Sequence, residues 1–146
     1  MRTIAPLALL VYLLPLFSSG IVYTAAEYTQ ARTTDVRGVF DDVQLGFTQG
    51  NVAIFSPHFH NQVRVTLHSG ETGIYSSNQA YYLLQNFLRN RMPVNFAFTT
   101  YGESDNTPYG TGSASFTFQG IRQHAQVYVA LASEGGRWVI THINIY

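Results

Sequence analysis

The hydrophobic period of the chain changes near Pro93, and this change limits the possible folds more than any other feature of the sequence. Before Pro93, apolar residues recur at the spacing of helices that bury one face. After it, the helical spacing stops, and four runs rich in β-branched and aromatic residues cover residues 95–101, 109–118, 124–132 and 137–145. This order predicts an α+β domain whose helices cover one face of a sheet.

Capping residues mark the limits of two helices in the first half of the chain. Thr34 or Asp35 can cap the first helix, and Gly50 can adopt the left-handed conformation that ends it. Asn51 suits the cap of a short second helix that runs to Phe55. The apolar stripe of the first helix consists of Val36, Val39, Phe40, Val43 and Phe47.

A longer helix is predicted to begin at Ser76. Ser76 and Gln79 have the spacing of a capping box, in which each side chain accepts from the backbone N–H of the other residue. Gln85 lies opposite the apolar side of this helix and is predicted to face solvent. The apolar stripe consists of Ala80, Leu83, Leu84, Phe87 and Leu88.

Strands and turns account for the remaining segments of the domain. Strict alternation over Gln62–His68 predicts a half-exposed strand, and Ser69–Gly73 supplies a turn. The four later runs are separated by residues 105–108, 119–120 and 134–136, which are typical turn sequences. A four-stranded antiparallel meander is the simplest arrangement of these runs.

The N-terminus has the pattern of an export signal. Arg2 precedes an apolar run over Ile4–Phe17, and small residues follow. Cleavage is expected after Ala26, with Thr24 and Ala26 at the two small-residue positions; cleavage after Gly20 is the alternative. A retained membrane anchor is a second interpretation, because the apolar residues number about the ~20 that cross a bilayer. Two prolines and a Ser-Ser-Gly break within the segment favour the signal peptide.

The chain is thereby divided into a signal peptide (1–26), a flexible lead (27–34) and a single α+β domain (35–146), secreted or periplasmic and free of the membrane after cleavage. The formal net charge of zero argues against nucleic acid as a partner. The lack of cysteine excludes disulfides, a thiol nucleophile, a thiolate metal site and a lipidated cysteine. No cofactor is expected.

A set of short motifs resembles a bacterial family known as domain of unknown function DUF4783. The motifs are Gly50-Asn51, Tyr75-Ser76-x-x-Gln79-Ala80, Leu84-x-x-Phe87-Leu88, Gly102 and a closing apolar strand. The resemblance implies a nuclear transport factor 2-like (NTF2-like), cystatin-like fold, in which a curved antiparallel sheet forms a cone around a long helix. The family has no assigned activity, so the resemblance implies no mechanism. The Arg89-Asn90-Arg91 end of the long helix is more basic than the family pattern.

Local motifs for catalysis or metal binding are weak. His58 and His60 resemble a ligand pair, but no acidic residue lies within ten positions of them, and a metal site needs three or four ligands. Asp41 and Asp42 lie away from the helix stripe, which predicts a solvated acidic face. Ser76 has no nearby histidine or acid and already caps a helix, so a nucleophilic role is disfavoured. No catalytic or metal-ligating residue is predicted.

The cone implied by the resemblance suggests a ligand pocket, because folds of this type include isomerases and dehydratases as well as noncatalytic binders. The predicted strands offer four polar side chains among apolar neighbours: Tyr101, Tyr109, Tyr128 and His142. The acidic residues of this half fall in predicted turns, where a carboxylate stays solvated and does not become a general base of raised pKa.

The function expected from these patterns is an exported, noncatalytic module that binds a small ligand or a protein partner. A structural, self-associating envelope protein is one alternative, and a cone-pocket enzyme of the isomerase or dehydratase type is the other. An open cone lined with tyrosine would favour ligand binding. A filled cone with a broad apolar outer sheet face would favour self-association.

A homodimer through the outer sheet face is expected from the run over residues 124–132. Val127, Val129 and Leu131 fill one face of this strand, while Tyr128 and Ala130 make the other face largely apolar as well. A strand that is apolar on both faces is normally covered on both. A second copy of the sheet is the simplest cover, with Tyr128 near its centre. The alternative is a monomer whose alanines leave that face uncovered.

Overall fold

The computed structural model describes residues 35–146. The predicted signal peptide and lead lie outside the described residues. Within 35–146, no helix combines the length and the hydropathy that a membrane crossing requires. The elements are α1 (Val36–Gln49), 3₁₀ turns at Val52–Ile54 and Ser56–His58, β1 (Phe59–Leu67), β2 (Thr72–Ser76), α2 (Ser77–Asn90), β3 (Met92–Ser104), β4 (Thr107–Phe118), β5 (Ile121–Glu134) and β6 (Arg137–Ile145).

The predicted caps of α1 and of the segment after it are confirmed. The Asp35 side chain accepts from the Arg37 N–H at 3.1 Å, and Gly50 ends the helix with φ of +65°. Asn51 Oδ1 accepts from the Ala53 N–H at 3.1 Å. The predicted second helix is shorter than expected, because the backbone forms two 3₁₀ turns on either side of Phe55.

The capping box at the start of α2 is also confirmed. The Gln79 N–H donates to Ser76 Oγ at 3.2 Å, and the Ser76 N–H donates to Gln79 Oε1 at 3.1 Å. Tyr75 packs against the core just before this cap, and Phe87 is buried on the inner side of the helix. These contacts fix where β2 ends and how α2 lies on the sheet.

Gln85 does not face solvent as its helical position predicted. Its Nε2 donates to the Gly50 carbonyl at 3.1 Å, and its Oε1 accepts from the Val52 N–H at 3.0 Å. One side-chain amide therefore satisfies two backbone groups in the segment that follows α1. The segment therefore covers α2 around Gln85, while Tyr82 and Arg89 on the same side of the helix stay exposed.

The sheet has six strands in the order β2-β1-β6-β5-β4-β3. The predicted meander of β3 to β6 is confirmed, since each consecutive pair is antiparallel. β1 lies parallel to β6, so the sheet is mixed at this one pair. β2 was not predicted, because its first residues were assigned to the turn over Ser69–Gly73. It pairs with β1 so that Gly73 lies opposite Val65 and Tyr75 lies opposite Val63.

Three two-residue turns connect the strands of the meander, at the predicted breaks. Both residues have positive φ in each turn: Asp105 (51°) and Asn106 (59°), Gln119 (50°) and Gly120 (79°), Gly135 (56°) and Gly136 (76°). Turns with positive φ at both positions match the twist of antiparallel strands. They hold β3 to β6 in fixed register.

Aromatic rings fill the interior between the helices and the sheet. The Phe47 ring lies 5.5 Å from the Phe55 ring and 5.1 Å from the Phe96 ring, measured between centroids. Phe40 and Phe98 pack edge to face at 5.1 Å. Gly110 on the inner face of β4 makes room for these rings, because a Cβ there would lie 2.9 Å from Phe98 Cδ1 and 3.1 Å from Phe40 Cε1. The cone is therefore filled around its axis.

Candidate functional site

The four residues predicted to line a pocket lie on two sides of the sheet. Tyr101 is on the inner side at the end of β3, where its ring lies 5.3 Å from the Phe40 ring and beneath Arg37. Tyr109, Tyr128 and His142 lie together on the outer face, across three adjacent strands. The three cavities described below are lined by other residues, and the ligand role of these four stays a prediction.

The outer face of the sheet carries a cluster of aromatic and polar residues that we call the tyrosine face: Tyr109, Tyr128, His142, Asn144 and Tyr146. The Tyr109 and Tyr128 rings stack with centroids 5.7 Å apart. Tyr128 pairs with Asn144 on β6, and Tyr146 follows on the same edge of β5. The cluster contains no carboxylate.

Two groups of the tyrosine face, Tyr128 and His142, have pKa values shifted in the direction that favours the neutral form. Burial raises the pKa of Tyr128, and the nearby phenols of Tyr109 and Tyr146 add to this effect. Burial also lowers the pKa of His142, helped by the positive charge of Arg64 on β1. Both shifts remove charge from the centre of the face.

Asn144 carries a polar atom without a partner in the part of the chain that the structure describes. Its Nδ2 donates to the Tyr146 hydroxyl at 3.1 Å, while its Oδ1 is buried and accepts no hydrogen bond. Exchanging the two ends of the amide would leave the other end unpaired instead. The tyrosine face therefore contains one buried acceptor without a hydrogen bond, Asn144 Oδ1. Such a group costs about 1–3 kcal/mol of stability.

Asp42 is not the solvated residue that its helical position predicted. Its Oδ2 lies 2.8 Å from Nε2 of His58, which is 5% exposed. The pair joins α1 to the second 3₁₀ turn, 16 positions away. A histidine beside a carboxylate is the geometry of a general base, but neither residue lines any of the three cavities. The pair is a link between two elements of the core.

A cavity with a volume of about 370 Å³ opens at the C-terminal end of α2. We call it the α2-end cavity; its walls are Leu67, Ser69, Glu71, Leu83, Asn86, Phe87, Asn90, Arg91, Phe118 and Gln119. A second cavity of about 250 Å³ shares Phe87 and Arg91 with it and also contacts two histidines, His68 and His124. A third, of about 300 Å³, lies over β3 and β4 and is lined mostly by small polar residues.

Arg91 is held at the wall between the first two cavities by aromatic stacking. Its guanidinium carbon lies 4.2 Å from the centroid of the Phe87 ring and 4.8 Å from that of Phe118. Stacking uses the faces of the guanidinium and leaves its N–H groups available. The basic Arg89-Asn90-Arg91 run was visible in the sequence, but its position beside a cavity depends on where β4 and β5 turn.

Glu71 lies on the rim of the same cavity. A hydrogen bond from the Ser69 hydroxyl, followed by its own backbone N–H, lowers the pKa of Glu71. The carboxylate is therefore negative at neutral pH. No nitrogen of Arg91 comes within 4.0 Å of a Glu71 oxygen, so the two opposite charges line one cavity without forming an ion pair.

The described residues contain no group of three His, Asp or Glu side chains placed to hold a metal ion. His60 instead approaches Glu134, with Nε2 at 3.6 Å from the carboxylate. Glu71, Glu103, Asp105 and Glu134 are all exposed, and Asp42 is committed to His58.

Solved structures with a similar fold share little sequence with this chain. A DUF4783 family protein from Bacteroides ovatus ATCC 8483 has a TM-score of 0.63 and 18% identity, and the match covers 71% of this chain and 90% of that one. A hypothetical protein with a ketosteroid isomerase-like fold from Catenulispora acidiphila DSM 44928, in complex with trimethylamine, has a TM-score of 0.58 and 12% identity, covering 74% and 83%. An NTF2-like protein of unknown function from Shewanella oneidensis MR-1 has a TM-score of 0.56 and 11% identity, covering 77% and 97%.

These similarities establish the NTF2-like fold. No functionally curated protein matches the chain. The model of the family described as Domain of unknown function (DUF4783) matches residues 40–146. The chain therefore belongs to the DUF4783 family, as its Gly50-Asn51 and Tyr75-Ser76-x-x-Gln79 motifs predicted.

Proposed function

We propose that this protein is an exported, noncatalytic interaction module that associates through its tyrosine face with a second copy of itself. The observation that carries the proposal is the contrast between the two sides of the sheet. Phenylalanine rings pack the inner side, and neither Asp42 nor His58 lines any of the three described cavities. The outer side presents stacked tyrosines beside His142 and Asn144, with the guanidinium of Arg64 next to this cluster on β1.

The size of the outer face suits a stable dimer. Six strands at a spacing of about 4.8 Å, with about nine residues per strand at about 3.3 Å each, give a face of roughly 700 Å². Specific interfaces bury about 800 Å² on each partner. Arg122, Glu134 and Arg137 stand near the strand ends, where the rim of an interface lies, while Arg64 borders the tyrosine face from the middle of β1.

The tyrosine face also has groups that an interface would use. The exposed side chain of Gln126, on the same face of β5 as Tyr128, offers an amide that can form hydrogen bonds with the second copy. Tyrosine is enriched at interfaces because its ring packs while its hydroxyl forms a hydrogen bond. Ile74 is 57% exposed on β2 of the same face and is separated from the tyrosine face by Arg64 on β1.

The dimer is tested by light scattering on protein purified from an export-competent host. At micromolar concentration we expect twice the monomer mass. Tyr128→Arg places a charge at the centre of the face and should give the monomer mass. Gln126→Arg, at an exposed outer position two residues away, should do the same if Tyr128→Arg fails to fold. Tyr82→Arg is the matched control, since Tyr82 is 67% exposed on α2, and it should remain dimeric.

A wild-type monomer at this concentration would disprove the dimer. A Tyr128→Arg variant that is folded and still dimeric would disprove the tyrosine face as the interface. Thermal unfolding of each variant shows that it is folded before its mass is interpreted.

Export is tested by the mass of the protein recovered from the same host. The short apolar run, its prolines and the small residues after it predict a mature chain that begins at Glu27. Intact-mass measurement should therefore give the mass of residues 27–146 in the released fraction. An uncut chain beginning at Met1 and held in the membrane would contradict export and support the anchor.

A further inference from the structure

We propose that the α2-end cavity binds a small zwitterion, specifically an α-amino acid with an apolar side chain. In this arrangement Arg91 holds the carboxylate, Glu71 holds the ammonium group, and the apolar walls contact the side chain. The site is separate from the tyrosine face, and the proposal does not depend on the dimer.

Arg91 is prepared to bind a carboxylate. Its guanidinium is held against Phe87 and Phe118, so little side-chain freedom remains to be lost on binding. In the described residues, no protein oxygen forms an ion pair or hydrogen bond with this guanidinium. A planar fork of free N–H donors matches the two oxygens of a carboxylate.

Glu71 explains why a zwitterion fits better than a simple anion. Its carboxylate stands on the rim of the same cavity and would repel a ligand that carried only negative charge. The gap between Glu71 and Arg91 is too wide for a direct ion pair. A ligand with an ammonium and a carboxylate group on one carbon presents both charges at once, and each then meets its opposite.

The remaining walls suit an apolar side chain of modest size. Leu67, Leu83 and Phe87 form the inner wall, and the amides of Asn86 and Asn90 add hydrogen-bonding groups. A volume of about 370 Å³ is at the lower end of small-molecule sites, which begin at about 300 Å³. This size admits a single amino acid.

Arg91 also has a structural interpretation, in which it only covers the end of the core. Its aliphatic stem and stacked head shield Phe87, and a cation near the C-terminus of α2 is favoured by the helix dipole. This interpretation predicts no selective ligand binding and gives the comparison for the experiment.

The experiment is an NMR titration of the ¹⁵N-labelled protein with L-leucine, N-acetyl-L-leucine, L-leucinamide and glycine. We expect L-leucine to shift the amide signals of Ser69 to Glu71 and Asn86 to Arg91. Acetylation removes the ammonium charge and amidation removes the carboxylate, so each analogue should bind roughly 10-fold to 100-fold more weakly. Glycine should also bind more weakly, because it lacks the side chain that contacts the apolar wall.

Two variants assign each charge of the ligand to one side chain, and a third is the control. With Glu71→Gln, L-leucine and N-acetyl-L-leucine should bind equally, because the partner of the ammonium group is removed. With Arg91→Gln, L-leucine and L-leucinamide should bind equally. Arg122→Gln, which removes an exposed arginine from outside the cavity walls, is the control and should leave leucine binding unchanged.

Equal binding of leucine and its acetylated form to the wild type would overturn the zwitterion assignment. Spectra unchanged at 10 mM leucine, about the weakest affinity worth assigning to a site, would overturn the site itself. Because Glu71 is exposed, Glu71→Gln is expected to fold even if Arg91→Gln does not. The affinities of Glu71→Gln for L-leucine and for N-acetyl-L-leucine then decide the role of Glu71. None of these results depends on the mass measured by light scattering.

Discussion

Replacing Phe47 with alanine is expected to lower the free energy of unfolding by about 3–5 kcal/mol. Phe47 is fully buried on α1, and its ring contacts those of Phe55 and Phe96. These contacts join the first helix both to the 3₁₀ segment and to the edge strand β3. Removing the ring therefore leaves a cavity where three elements meet, and an aromatic core this densely packed can close it only in part.

Urea denaturation followed by far-UV circular dichroism measures this change. Domains of this size have a free energy of unfolding of about 5–15 kcal/mol, so the variant should lose a large share of its stability. Leu45→Ala is the matched control, because Leu45 lies on the same helix and is 46% exposed. It should cost less than about 1 kcal/mol. Equal losses in the two variants would show that the rings around Phe47 do not form the core described above.

Replacing Gly46 with alanine is expected to destabilise the protein by about 3 kcal/mol, although helix propensity alone predicts the opposite sign. In an exposed helix interior, alanine is better than glycine by about 1 kcal/mol. Here a Cβ on Gly46 would clash with Phe55 Cδ1 and would lie 2.8 Å from the carbonyl oxygen of Asn51. The ring is packed and the carbonyl belongs to the backbone, so neither moves at low cost.

Thermal or urea unfolding measures the change in stability of Gly46→Ala, and its sign separates the clash with Phe55 from the effect of helix propensity. Thr48→Ala serves as the comparison, because Thr48 is exposed on the same helix and alanine there should raise stability slightly. A Gly46→Ala variant as stable as the wild type would mean that the chain after α1 does not cross so close to the helix.

Local patterns in the sequence predicted the caps and turns, because these form through contacts between residues close together in the chain. The capping box of Ser76 and Gln79, the left-handed Gly50 and the three turns of the meander lie where they were expected. Each is decided by the conformational preference of a few adjacent residues or by a hydrogen bond across three positions. The family motifs added the NTF2-like fold, which these local elements alone do not specify.

The sequence placed the candidate pocket residues less well than the helices and turns. Alternation correctly put Tyr128 on the face of β5 opposite Val127 and Val129, but it gives no measure of which face of the sheet the helices cover at each strand. The candidates therefore fell on both sides. The α2-end cavity was missed, since its walls come from α2 and from two separate turns.

Sequence by itself determined where this chain forms its two long helices, β1 and the meander of β3 to β6, and that it belongs to an α+β class, because those outcomes follow from local period and capping. Tertiary structure decided the pairing of β2 with β1, the link from Asp42 to His58 across 16 positions, and the two hydrogen bonds of Gln85. Such contacts join segments that are remote in the chain, and their energy is gained only after packing has brought the polar groups together and removed water from them.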